Sequence, residues 1–169
     1  MKRLILVRHA KAEEHGLKPD YDRRLRPRGR KDSKLVAGIL QKSHGIKPDH
    51  IISSPAPRAK ETAEIFSDVL HFPHVSIIKE LDLYNGMSSN EFIQLIRATD
   101  ESAKTVMVFG HNPHIYMYAH NLLPAFYLDV PTGTAISILF DIEDWNDLNP
   151  KEGRLEFHEY PKLYKAPKF

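Results

Sequence analysis

The sequence predicts an α/β fold, a three-layer α/β/α sandwich with a mostly parallel central sheet. Two observations carry this. Short apolar runs of strand length alternate with longer segments whose apolar residues fall on one helical face. The order is β-α-β-α, so consecutive strands are joined by helices that must cover both faces of a sheet. The elements follow in order. Residues 3–8 form an apolar first strand with a basic start. A polar loop leads to PRGR, which opens a helix from residue 27 to about Ser43, with Leu35, Val36, Ile39 and Leu40 on one face. DHIIS, 49–53, is a short buried strand. Pro55 and Pro57 begin a helix to about Leu70, striped by Ala59, Thr62, Ala63, Phe66, Val69 and Leu70. VSII, 75–78, reads as a third strand. Ser88 and Glu91 make a capping box for a helix to about Thr99. TVMVF, 105–109, is a fourth strand, and Pro113 starts a helix to about Leu123. AISILF, 135–140, and RLEFHEY, 154–160, are further strands suited to a hairpin. KLYKAPKF closes the chain as a loose tail.

Composition narrows the function. The 169 residues suit one domain, 1–169, long enough for a real core. Apolar content of 41% and charged content of 27% are those of a soluble globular protein. There is no cysteine, hence no disulfide, no thiolate zinc site and no cysteine nucleophile, which agrees with a reducing, cytoplasmic setting. No apolar run reaches membrane-spanning length, and the short basic start does not read as a signal peptide. A net charge of +2 is too balanced to imply nucleic-acid binding. The absence of a Walker A loop and of a dinucleotide fingerprint argues against an NTPase or a dehydrogenase.

Polar chemistry gathers beyond the carboxyl ends of the strands, where open α/β sheets keep their sites. Arg8 and His9 end the first strand. Arg presents a fixed fork of donors to phosphate oxygens, and a neutral imidazole can attack phosphorus. SSPAPRAKETA, 53–63, ends the second strand in two serines and puts Arg58 in the first turn of a helix, where anions are favoured. KELDLYNG, 79–86, brings Glu80 near a sheet end. In VFGHNP, 108–113, Gly110 lets the chain turn after a strand and His111 projects at the sheet edge.

Taken together, RHA after the first strand, SSPxxRAxxTA after the second and GHNP after the fourth resemble the histidine phosphatase superfamily. RHAKAE, LRPRGR and the short chain resemble its compact SixA-type branch. The resemblance covers roughly residues 3–140 and implies a phosphoglycerate mutase-like fold. It implies that His9 is the nucleophile that takes the phosphoryl group, that Arg8 and Arg58 clamp the phosphate, and that His111 binds and stabilises the transferring group. For the acid that protonates the leaving oxygen, Glu80 is the first counterpart, with Asp22 and His111 as alternatives. The implied activity is a cofactor- and metal-independent phosphatase acting on a phosphomonoester or phosphoramidate. Its partner would be a phosphorylated protein or a small phosphorylated metabolite, with no nucleic acid or membrane involved. Physical chemistry agrees with such a site. Phosphoryl transfer is mostly positioning and stabilisation of charge on the equatorial oxygens. Two Arg forks and a His supply both, and neighbouring Arg charges favour the neutral form of His9.

Departures from the family pattern refine the expectation. Ala10 stands where many members have Gly. The chain has little room for the long insertions that cover the site in mutases. An uncovered site suits a bulky substrate, so protein phosphohistidine is the preferred class. A sugar or nucleotide phosphate, or a catalytically silent phospho-ligand module, is the alternative. Tyr84 and Asn85 are expected at the pocket mouth, while Thr132 to Thr134 in PTGTA either lend donors or simply turn the chain. The basic cluster Arg23, Arg24, Arg26, Arg28, Arg30 and Lys31 is either a solvated face or a docking aid for an anionic partner. His71 and His74 are read as surface residues rather than metal ligands.

Overall fold

Strand β1, Lys2–Arg8, runs through the middle of a six-stranded sheet in the computed structural model, which describes residues 1–165. The other strands are β2 His50–Ser53, β3 Ile78–Lys79, β4 Thr105–Gly110, β5 Ala135–Phe140 and β6 Arg154–Glu159. Their order is β3-β2-β4-β1-β5-β6. The first four in that order are parallel, β5 runs antiparallel to β1, and β6 runs antiparallel to β5. The sheet is thus mostly parallel, as the strand–helix alternation requires.

Its two faces are covered by different helices. Leu4 and Leu6 of β1 join one core cluster, with residues of α4 (Ser89–Arg97) and α5 (His114–Leu122). Ile5 and Val7 point the other way, into a second cluster with α1 (Pro27–Lys42) and α2 (Pro57–Leu70). The period-2 alternation of a strand explains why a continuous apolar run is needed: both faces are dry. Both α1 and α2 start with Pro at the first turn, and α4 carries the anticipated Ser88–Glu91 capping box.

Three expectations are corrected. The third strand shrinks from 75–78 to Ile78–Lys79, because Pro73 starts a 3-10 turn at His74–Ser76 and leaves Val75 94% exposed. A one-turn helix, α3 Asp82–Asn85, follows where only a loop was expected. The tail begins ordered: Pro161–Tyr164 is a 3-10 turn with Pro161 buried, and Lys165 Nζ reaches Asp32 Oδ1 at 2.6 Å. The rest of the expected tail lies outside the described residues. The two last strands do pair as an antiparallel hairpin, through a long connection that buries Trp145. Among the described residues no helix is long and apolar enough to cross a membrane.

Candidate active site

Register alone brings the main residues together. In the β1–β4 pair Arg8 lies opposite Gly110, so His9 and His111 leave the sheet side by side, their ring centroids 5.2 Å apart. The backbone of His9 is held on each side. Its N–H donates to Gly110 O at 3.0 Å, and its carbonyl accepts from Gly133 N at 3.0 Å. Ala10 N donates to Thr62 Oγ1, which in turn donates to Arg58 O at 2.7 Å. Thr62 therefore links β1 to the start of α2, where Arg58 stands. Gly133 has φ +81, and a Cβ there would sit 3.1 Å from Pro161 Cγ, so the PTGT turn needs glycine to brace Arg8 and His9 from behind. Gly110 serves differently from the expectation. It has no positive φ and ends β4 buried, where a Cβ would come 3.3 Å from Ile115 Cδ1.

Arg8, His9, Arg58 and His111 line one cavity of about 670 Å³. Tyr84, Asn85 and Thr132 line it too, as do Lys11 to His15, Asp20, Arg23 and Arg26 from the loop after β1. His9 and His111 are only 6% and 8% exposed. His9 Nδ1 is 2.8 Å from Ala10 O. A carbonyl can only accept, so Nδ1–H donates and Nε2 keeps the lone pair. Burial pushes the His9 pKa down to about 3, with the neighbouring His111, Arg58 and Arg8 adding to the effect. Burial, then the Arg58 charge, pushes His111 to about 3 as well. Desolvation rather than arginine charge is thus the larger reason for a neutral His9.

Each arginine is tethered by one part of its fork and free at another. Arg8 Nη1 donates to Val130 O at 2.9 Å, a carbonyl that also accepts from Asn112 Nδ2 at 3.0 Å. Arg58 Nη1 donates to Asp20 O at 2.7 Å and Nη2 to Asp20 Oδ2 at 3.0 Å. The nitrogens Arg8 Nε, Arg58 Nε and His111 Nδ1 are buried and have no hydrogen-bond partner among the described residues. A buried polar group without a partner costs about 1–3 kcal/mol, more when charged. All three nitrogens belong to residues that line the one cavity.

Sequence reasoning missed Asp20, the place of Arg23 in the cavity lining and the role of Ser54. Asp20 sits in a 3-10 turn, Asp20–Asp22, and its carboxylate accepts from Arg58, from Tyr84 OH at 3.0 Å and from Arg23 Nε at 3.0 Å. Partial burial opposes its ionisation, but the Tyr84 hydroxyl and the two arginines outweigh it and hold its pKa at about 2. The signal was the acid–x–acid run DYD; Asp22, two residues on, is exposed and outside the cavity lining. Glu80 also lies outside the lining, with Oε1 accepting from Asp82 N at 3.3 Å at the start of α3. Most of the basic cluster is neutralised locally: Arg23 pairs with Asp20, Arg26 with Glu14, Arg28 with Asp32 and Arg30 with Glu61. His74 contacts Asp68 at 2.7 Å and Glu64 at 3.5 Å, and His71 caps α2 in a left-handed conformation.

Residues 4–87 match the family model for the histidine phosphatase superfamily, branch 1. The chain belongs to that superfamily. It is 42% identical over 69 residues to the mitochondrial serine/threonine-protein phosphatase PGAM5 of Xenopus tropicalis, which is 41% of this chain and 24% of that protein. It is 33% identical over 121 residues to an uncharacterized chloroplastic protein of Arabidopsis thaliana, 66% of this chain and 54% of that one. The chain thus spans about a quarter and about half of the lengths of these relatives. Among solved structures, the protein histidine phosphatase SixA complexed with tungstate superposes with a TM-score of 0.83 at 24% identity, over 96% of this chain and 99% of that one. Mycobacterial glucosyl-3-phosphoglycerate phosphatase gives 0.65 at 16% identity, over 92% and 97%. At these identities the likeness shows a shared fold, the phosphoglycerate mutase-like sandwich.

Proposed function

We propose that this chain is a phosphatase that hydrolyses a phosphomonoester or phosphoramidate through a phosphohistidine on His9, with protein phosphohistidine as its preferred substrate class. The observation that carries this reading is the set of unpartnered buried donors, Arg8 Nε, Arg58 Nε and His111 Nδ1, in the cavity lined by a neutral His9. His9 Nε2 attacks phosphorus with its lone pair, the P–N or P–O bond to the leaving group breaks, and that group departs with the bonding pair, a protonated phosphoimidazole as neutral imidazole and an ester as an alkoxide that must gain a proton from solvent. Arg8, Arg58 and His111 hold the equatorial oxygens as charge moves. Water then attacks the phosphohistidine, releasing phosphate and restoring His9, so one water is consumed per turnover.

Protein phosphohistidine is favoured by the acid inventory of the cavity. Asp20 is held ionised, Glu13 and Glu14 in the lining pair with Lys18 and Arg26, and Glu80 is outside it, so each carboxylate of the lining is engaged by a cation rather than offered as an acid to an alkoxide. A protonated phosphoimidazole leaves as neutral imidazole and needs no such acid. Tungstate held by the similarly folded SixA supports an oxyanion site. The likeness to a serine/threonine-protein phosphatase favours, as a second reading, a phosphoester on a protein side chain. The test is phosphate release from a phosphohistidine protein, a phosphoserine peptide and p-nitrophenyl phosphate, with His9→Ala as the blank. Faster release from the phosphohistidine protein, lost in the blank, is the expected result. Preference for the peptide would move the substrate class to phosphoesters. Phosphate binding without release from any substrate would make the chain a binding module.

A further inference from the structure

Ser54 lies where β2 gives way to α2 and is fully buried. Its backbone is already used: Ser54 N donates to Phe109 O at 2.9 Å, and Ser54 O accepts from Ser53 Oγ at 2.9 Å. Its hydroxyl has one proton and two lone pairs to place. Ala56 N, which can only donate, reaches Oγ at 3.2 Å. His111 Nε2 lies 2.8 Å from the same oxygen. Two arrangements satisfy these distances. If Nε2–H donated to Oγ, the serine proton would have no acceptor in a dry interior, and His111 Nδ1 would turn a lone pair toward an anion. If Oγ–H donates to Nε2, the serine proton has a partner, and the one proton of this set left without a partner among the described residues is the ring hydrogen on Nδ1 of this cavity-lining residue.

We propose that Ser54 is a positioning residue that fixes His111 in its Nδ1–H form, so that the ring offers a donor rather than a lone pair to the transferring phosphoryl group. Its part in transfer rests on the phosphatase reading; the tautomer itself does not. Because burial keeps His111 uncharged at neutral pH, the ring has one proton, and its location decides whether the side chain attracts or repels an oxyanion. The two histidines are then used from opposite ends. His9 has Nδ1–H tied to Ala10 O and works through the Nε2 lone pair, whereas His111 has Nε2 tied to Ser54 and works through Nδ1–H. The Tyr84 ring, its centroid 5.6 Å from that of His111 and its plane at 82° to it, packs against the imidazole and helps keep it from flipping.

The experiment is a long-range proton–nitrogen correlation spectrum of the imidazoles in the full chain at pH 7 without substrate, with His111 assigned from a His111→Gln sample. The expected signature is a pyrrole-like Nδ1 and a pyridine-like Nε2. The reverse pattern overturns the proposal. In Ser54→Ala the His111 signals are expected to move toward the other tautomer. There kcat should fall about ten- to hundred-fold with little change in KM, short of the roughly 100- to 1,000-fold typical of deleting an oxyanion donor. A Ser54→Ala protein with unchanged tautomer and kcat also overturns it. If that variant does not fold, the wild-type spectrum decides alone. Lack of turnover in every protein, with the Nδ1–H signature present, counts against the phosphatase reading and not against the tautomer.

Discussion

Two buried neutral histidines make this fold sensitive to mild acid. His9 and His111 each have a folded pKa of about 3, while an unfolded chain titrates them near their ordinary value of 6.5. A depressed folded pKa gives stability that is present above 6.5 and is lost as pH falls from there toward 3, because the unfolded chain takes up protons that the native one refuses. From pH 6.5 to 5 the loss is about 1.36 kcal/mol per unit, hence about 2 kcal/mol for each ring and about 4 kcal/mol for both. That is a large share of the roughly 5–15 kcal/mol that holds a domain together. Asp20 adds nothing in this window, since it is ionised in both states above pH 5. His50, lowered by burial, acts in the same direction but is common to the proteins compared. The assay is urea unfolding at pH 7 and pH 5 of wild type and of the His9→Asn, His111→Gln double variant. The wild type should lose about 4 kcal/mol more than the variant between the two pH values. Equal losses would refute the claim that these rings are buried uncharged.

Other outcomes follow from the same geometry. Arg58→Ala should lower kcat/KM about 100- to 1,000-fold, the usual cost of one oxyanion donor, read with whichever substrate is turned over. Asp20→Asn removes a full negative charge beside Arg58 while keeping an acceptor; inorganic phosphate should bind several-fold more tightly by calorimetry, and weaker binding would contradict the placement of Asp20 at the clamp. Gly133→Ala should cost about 1–2 kcal/mol for its left-handed backbone, seen as a lower melting temperature, with added loss from crowding Pro161. Glu80→Gln should leave phosphohistidine turnover little changed; a large drop in kcat would assign the leaving-group proton to Glu80.

Much of this architecture was legible because it is local. Each buried strand announces itself as an apolar run and each covering helix as an apolar stripe, and Pro27, Pro57 and Ser88 mark helix starts within a turn. The strand at 75–78 was misjudged for a local reason too: apolar residues on an edge segment carry no sign of whether they pair, and Pro73 turned them away. Arg8, His9, Arg58 and His111, which line one cavity, were legible as motifs at strand ends.

The sequence by itself determined most of the elements, the family pattern and the ends of the sheet where chemistry gathers, because periodicity and motif spacing are properties of neighbours along the chain. Only the tertiary structure decided which end of each imidazole is free, since that depends on Ala10 O for His9 and on Ser54, 57 positions away, for His111. It also decided that Asp20, 38 positions from Arg58, tethers that guanidinium, and that Glu80 lies outside the cavity lining. Hydrogen bonds between distant segments are set by sheet register and packing, and no periodicity in the chain encodes them.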